Sequence, residues 1–319
     1  MYLSFYRLKD EPFRLTPDPR DLHLAEPHKA ALTAVLEGIF YRKGLVMITG
    51  PIGTGKTTLV HTALQVLHAK KMPVKSALLF NPTLTRDEFL EMMLDEFEVN
   101  CSTTSKPKRL AALHEMLLDS QRRGGTAVLF IDEAHLLTPE LLEEIRLLGN
   151  ADTHQEKLLQ IVLSGQPELL GIMNRRELSA LHQRIAARAH LRALTLMEMR
   201  DYISERLHAA GMEGHMPFHD QALEAIHDRT EGVPRSINLV CDGCMALGFR
   251  MQRTEIKQEI VEEVAVSLGL ARATPLREKK NPSPAVEPIS AAKPKTIVDT
   301  LIEAMKQKSR YAEGVGPHE

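Results

Sequence analysis

Cysteine is scarce in this chain: there are 3 among 319 residues, unevenly placed. That is too few for a disulfide framework and points to a reducing compartment. No apolar run approaches the ~18 residues that a membrane-crossing helix needs. The opening stretch, Met1 to Asp10, turns charged too early for a secretory signal. An excess of either charge is missing too, since 40 Lys plus Arg stand against 42 Asp plus Glu, net −2. This balance excludes a uniformly basic, histone-like nucleic-acid binder but leaves room for a local basic patch. No internal repeat is visible. What remains is a soluble, cytoplasmic protein, 43% hydrophobic and 26% charged, able to bury a core.

Charge and proline divide the chain. Residues 271–319 hold nine basic and six acidic side chains, whereas residues 1–270 hold 31 and 36. Pro275, Pro282, Pro284, Pro288 and Pro294 fall between Ala271 and Lys295, with no apolar periodicity around them. Repeated proline removes backbone donors and blocks helix, so 271–295 is expected to be a flexible linker. Beyond it, Ile297, Leu301, Ile302 and Met305 recur at helical spacing, which predicts a short amphipathic helix over 296–310 in a tail ending at 319.

Upstream, short apolar runs alternate with longer helical patterns. Leu45–Thr49, Val74–Phe80, Ala127–Ile131 and Leu158–Leu163 read as buried parallel strands, with His190–Leu194 as a fifth candidate. Helices are predicted between them at 56–70, 86–98, 107–123 and 138–149. This alternation argues for an α/β fold, a parallel sheet sandwiched by helices. From Leu196 the strand signal stops, and four helices fit, at 197–210, 219–229, 234–250 and 256–268. The expected organisation is an N-terminal segment and helix (1–44), an α/β core (45–195), a small all-α lid (196–270), the linker and the tail.

The chemistry gathers in two motifs. Gly50-Pro51-Ile52-Gly53-Thr54-Gly55-Lys56-Thr57 matches the full Walker A pattern, after a predicted strand and opening a predicted helix that continues with Thr58. Its glycines let the backbone curl so that N–H groups face phosphate oxygens, and the helix adds its positive end. Lys56 is expected to reach the β- and γ-phosphates, and the Thr57 hydroxyl to ligate Mg²⁺. The second motif, Val128-Leu129-Phe130-Ile131-Asp132-Glu133, is an apolar strand ending in two acids, the Walker B form. Asp132 is expected to hold Mg²⁺ through water or Thr57, and Glu133 to orient and deprotonate the attacking water. No guanine-reading Asn-Lys-x-Asp is present, so the expected cofactors are ATP and Mg²⁺.

Other residues take plainer readings. Cys241-Asp242-Gly243-Cys244 spells Cys-x-x-Cys but has no second ligand pair, so buried thiols are expected. His135 is read as shaping the turn after the acids. Arg122-Arg123-Gly124-Gly125 reads as a helix C-terminus with a glycine cap.

Taken with the helical stretch beyond the sheet, the acid pair resembles the AAA+ division of P-loop ATPases. More closely, residues 1–268 resemble the bacterial secretion ATPase family typified by general secretion pathway protein A. Beside the Walker motifs, the resemblance rests on Glu11-Pro12-Phe13 with Thr16-Pro17-Asp18-Pro19, on Leu163-Ser164-Gly165-Gln166-Pro167-Glu168-Leu169, on Gln183-Arg184-Ile185 with Arg188, and on Gly232-Val233-Pro234-Arg235. It implies that Ser164 is the sensor 1 residue, with Gln166 competing for that place. It also implies that Arg184, or alternatively Arg188, is an arginine finger acting on a neighbouring subunit. Arg235 would be the sensor 2 arginine of the lid. Longer members of that family continue into a membrane span and a peptidoglycan-binding module, neither of which is read here.

The expected function is an ATPase that hydrolyses Mg-ATP to drive assembly or regulation of a secretion or cell-envelope system. It would form a homo-oligomer on binding ATP and would engage a protein partner, either in the cytoplasm or at the inner membrane face through that partner. The alternatives are a DNA-associated AAA+ adaptor resembling transposition or initiation ATPases, and a low-turnover nucleotide switch. The acidic balance of residues 1–270 weighs against DNA, because affinity there comes largely from phosphate neutralisation.

The tail yields a prediction from composition alone. Its short helix stands at the margin of ~12–15 residues that isolated helices need in water even with favourable sequence, so its apolar stripe is expected to need a surface. Truncation after residue 270 is expected to leave basal ATP hydrolysis intact and to weaken partner recruitment in a pull-down. Loss of ATP binding in the truncated protein would show that the segment serves the ATPase body instead.

Overall fold

The computed structural model describes residues 2–15, 25–69, 73–80, 83–153 and 156–270. The expected linker, the expected tail helix and the Thr16-Pro17-Asp18-Pro19 run lie outside the described residues. The described residues form two compact units, one within 17–192 and one made of 2–15 together with 193–270. The stretch 1–44 is thereby divided, its beginning belonging to one unit and its helix to the other.

The α/β unit runs α1 (Glu26–Phe40), β1 (Leu45–Thr49), α2 (Lys56–Ala69), β2 (Val74–Leu79), α3 (Arg86–Glu96), α4 (Lys106–Arg122), β3 (Thr126–Ile131), α5 (Pro139–Leu148), β4 (Leu159–Gly165), α6 (Glu168–Met173), α7 (Ser179–His182) and β5 (Ile185–His190). The five strands form one parallel sheet in the order β2-β3-β4-β1-β5. The fifth strand corrects the sequence expectation, for it lies at 185–190 and not at 190–194. An edge strand pairs on one side only and needs no continuous apolar run. Ile185 to His190 alternates between inward positions, of which Ala189 alone is fully buried, and exposed ones, while the more apolar Leu191 and Leu194 are buried just beyond it.

Alternation along the inner strands sorts side chains to two faces. Met47, Leu129, Ile131, Ile161 and Leu163 join Phe89, Leu90, Leu113, Leu142 and Leu169 in one cluster under α3 to α6. Ile48, Val128, Phe130 and Val162 fall on the other face, where α1 and α2 pack, and are equally buried. Gly38 of α1 sits so close to β1 that an added Cβ would meet Val46 Cγ2 at 2.4 Å. Local signals set the helix starts. Thr85 and Glu88 form a reciprocal capping box on α3, and the Thr138 hydroxyl caps α5.

The helical unit holds α8 (Leu196–Ala209), α9 (Asp220–Thr230), α10 (Pro234–Arg250) and α11 (Gln258–Ser267), with Thr195 and Glu198 forming a second capping box on α8. Residues 2–15 are built into this unit. Lys9 N–H donates to Ala210 O (2.8 Å), Arg206 Nε donates to Pro12 O (2.5 Å) and Tyr6 OH donates to Arg253 O (2.9 Å). Phe13, 2% exposed, meets Phe218 edge-on. Cys241 and Cys244 are buried in α10. Burial pushes the Cys244 thiol up to about 12 and the Cys241 thiol well above its ordinary value, so both are protonated packing groups. Among the described residues no helix is long and apolar enough to cross a membrane.

Between α9 and α10 the chain turns at Gly232, with φ +71. An added Cβ there would stand 2.0 Å from Leu194 O. Gly232→Ala is therefore expected to destabilise the protein by about 2 kcal/mol or more, through left-handed strain plus displacement of that carbonyl. Chemical denaturation would measure the loss, and an unchanged midpoint would refute the steric account.

Candidate nucleotide site

Parallel strands present all their C-terminal ends at one edge of a sheet, and the order here sets β3, β4 and β1 side by side. Loop 50–57 leaves β1 at that edge and enters α2. Gly53 and Gly55 take φ +79 and +92, a region that L side chains rarely adopt. At Gly50 an added Cβ would meet Leu191 O at 2.6 Å, so the loop starts pressed against the strand edge. Thr54, fully buried, donates its hydroxyl to Pro51 O (2.8 Å) and braces the curl. Pro51 and Ile52 are exposed, while Thr57 and Thr58 are partly buried in the first turn of α2.

Lys56 is 6% exposed and folds back over the loop, donating to Gly50 O (2.9 Å) and Pro51 O (3.0 Å). Burial lowers its pKa, and Glu133, Asp132 and Glu168 nearby pull it back up. A buried ammonium whose hydrogen-bond partners among the described residues are backbone carbonyls, on a loop of compatible glycine conformation, fits a polyphosphate as its anionic partner.

The period of two explains the centre of the site. Val128, Phe130 and Asp132 share a face with Val162 and Ser164, and α2 covers that face. Asp132, 2% exposed, accepts from Thr57 Oγ1 (2.6 Å), from Ser164 Oγ (2.8 Å) and from Glu133 N (2.9 Å). A carboxylate and a threonine hydroxyl on adjacent ends are hard oxygen donors suited to Mg²⁺. Glu133 breaks the alternation. It stands at φ 50, ψ 35, a left-handed conformation that costs an L residue about 1–2 kcal/mol, so the chain turns out of the extended path there.

Other expected residues lie elsewhere. Gln166, weighed against Ser164 for the sensor place, turns to His135 (Nε2 to Nε2, 3.0 Å), while Ser164 takes Asp132. Arg184 precedes β5, whose Ile185 is opposite Leu45 and whose His190 is opposite Thr49, so it stands at the far end of the sheet from loop 50–57. It is exposed, donates to Arg146 O (2.9 Å) and borders a cavity of about 220 Å³ with Lys43, Arg146, Lys157 and Leu181. Arg188, opposite Met47 on β5, contacts His182. Arg235 is exposed in the first turn of α10 in the helical unit.

Two histidines join the site without having been singled out for it. His28 Nε2 lies 2.7 Å from Thr54 O, and an added Cβ at Gly55 would meet that ring at 3.1 Å. Nothing in the sequence links residue 28 to the loop, because α1 folds onto it from outside the motif. His135 lies 3.3 Å from Glu133. Its position two residues past the acid pair was the only available signal.

Ser164 offers a direct check on this geometry. Ser164→Ala is expected to cost about 1.5–3 kcal/mol by deleting one buried bond to a charged acceptor, and Ser164→Val more, because it also crowds a filled site. Equilibrium unfolding would measure both, and two neutral substitutions would count against the shared carboxylate.

Comparison with known proteins places these features. The family model for the AAA domain matches residues 40–173. The chain is 38% identical over 250 residues to general secretion pathway protein A of Aeromonas hydrophila, a match covering 78% of this chain and 45% of that protein. It spans less than half the length of the curated relatives it matches. Among solved structures it is similar to Drosophila ORC bound to DNA (TM-score 0.65, 16% identity, covering 85% of this chain and 67% of that one). It is also similar to Cdc6p from Pyrobaculum aerophilum (TM-score 0.62, 18% identity, 78% and 68%). At those identities the likeness speaks for the fold alone.

Proposed function

The chain belongs to the AAA-type P-loop ATPases related to general secretion pathway protein A, and from that premise we propose that it hydrolyses Mg-ATP to drive assembly or regulation of a secretion or cell-envelope machine. The observation that carries the chemistry is the single carboxylate of Asp132, shared by Thr57 from the glycine loop and Ser164 from β4. It ties the phosphate-binding loop to the strand end that bears the acid pair.

In this reading loop 50–58 binds the phosphates through the backbone N–H groups of residues 52–58 and the Lys56 ammonium. Lys56 exchanges its carbonyl partners for phosphate oxygens, which repays its desolvation. Thr57 and Asp132 hold Mg²⁺, which when bound supplies positive charge beside the transferring phosphoryl group. Glu133 takes the proton of the attacking water, and Ser164 keeps Asp132 in place. Arg184, one strand length from its own loop, acts on the site of a neighbouring copy, with Arg188 as the alternate. Arg235 serves as the sensor of the helical unit. Nucleic acid is the second candidate partner: the likeness to Drosophila ORC bound to DNA supports it at the level of fold, and the acidic excess over residues 1–270 opposes it.

Two substitutions and a mixing experiment test this. Lys56→Ala is expected to lose nucleotide affinity, and Glu133→Gln to bind ATP normally while turnover falls by about 10²-fold or more. Near-wild-type turnover in both would remove the enzymatic reading. Arg184→Ala should bind ATP yet turn over slowly, and adding Lys56→Ala subunits, which carry intact fingers, should restore activity. Mixing that restores nothing would sink the finger assignment.

A further inference from the structure

Glu133 has a neighbour that the scheme above leaves unused. Its Oε2 is buried, makes no hydrogen bond among the described residues and lies 3.3 Å from Nδ1 of His135. The ring meets Gln166 as well, with Gln166 Nε2 at 3.0 Å from His135 Nε2 and Gln166 N at 3.5 Å from Nδ1. His135 sits in the 3-10 turn Ala134–Leu136. The closeness of that turn to β4 shows at Gly165, where an added Cβ would come within 3.1 Å of His135 N. The imidazole thus bridges the acid at the end of β3 and the loop at the end of β4.

Donor and acceptor chemistry selects one arrangement of this bridge. A carboxylate only accepts, so the ring nitrogen facing Glu133 must carry hydrogen. In a neutral imidazole Nε2 is then a pure acceptor, and the NH₂ of the Gln166 amide satisfies it. Flipping the amide and the tautomer together would set a nitrogen lone pair against the carboxylate. Gln166 N also approaches Nδ1, at 3.5 Å, a longer contact than the 3.3 Å from Nδ1 to the carboxylate.

We propose that His135, its tautomer held by Gln166, is the positioning residue for Glu133. This rests on the reading of Glu133 as the base. Glu133 stands in a left-handed turn with its side chain 42% exposed, so its own backbone does little to confine the carboxylate. A base must lie within hydrogen-bond reach of the proton it removes, and a misplacement of ~1 Å can cost ~10²-fold in rate. The two adjacent acids are then each anchored to the end of β4 by a different route. Ser164 holds Asp132 directly, and Gln166 holds Glu133 through the imidazole.

The test is steady-state hydrolysis of Mg-ATP by the full chain, with ATP binding measured separately. His135→Ala is expected to lower kcat ~10- to 100-fold while leaving KM and ATP affinity within about twofold. His135→Asn places an amide N–H near the Nδ1 position and should recover most of the rate; His135→Gln, whose amide reaches the Nε2 position, should not. Gln166→Met removes the donor to Nε2 and should resemble His135→Ala. Undiminished kcat in His135→Ala, or equal rates in His135→Asn and His135→Gln, would overturn the proposal, and the second comparison decides the matter if the alanine variant fails to fold. Wild-type turnover in Glu133→Gln would remove the base itself. An inactive Glu133→Gln beside a fully active His135→Ala would remove only the positioning role.

Discussion

A single carboxylate, that of Asp132, organises the candidate site. It is 2% exposed and accepts hydrogen bonds from the start of α2, the end of β4 and the next backbone N–H of its own chain. A buried anion with fewer donors would be costly. The donors can meet only because β3 and β4 are neighbours in register, with Ile131 opposite Leu163, so that Asp132 and Ser164 come next on the same face. The loop after β1 then has to deliver Thr57 to that spot. The left-handed glycines and the close approach of Gly50 to Leu191 O are what allow so abrupt an entry into the helix.

The same sheet separates two roles along its strands. Groups suited to phosphate and water gather at the C-terminal edge, where parallel strands aim their ends and helix N-termini add partial positive charge. Arg184 lies at the opposite edge, beside Arg146, Lys43 and Lys157 around the 220 Å³ cavity. Within one copy of the α/β unit, these cations cannot serve the loop from which the length of β5 separates them. Two of these cations are already paired within the unit, Arg146 with Glu143 and Lys157 with Asp152, and Arg184 donates to Arg146 O.

Much of this was legible in the residues. The Walker patterns are contiguous, and each embeds its own context of apolar strand, turn and helix, so Lys56, Thr57, Asp132 and Glu133 could be named with the elements that carry them. The four helices of the helical unit were legible because their apolar spacing and their breaks at Gly211 and Gly232 to Pro234 are local signals. The edge strand was not, because pairing on one side demands little of its side chains and the stronger apolar signal at Leu191 and Leu194 belongs to the segment after the strand. His28 was hidden for a different reason: its contact with Thr54 spans 26 residues and depends on how α1 packs.

Short-range spacing was enough to read the sequence motifs and the alternation of strand and helix, and to name candidate residues within them. Which residues meet was left to tertiary packing. It set Ser164 and not Gln166 against Asp132, joined Gln166 through His135 to Glu133, sent Arg184 to the far edge and built residues 2–15 into the helical unit. Those outcomes depend on strand order, register and the direction in which a side chain leaves its strand. These are settled when buried faces pack against one another, and no window of consecutive residues contains them.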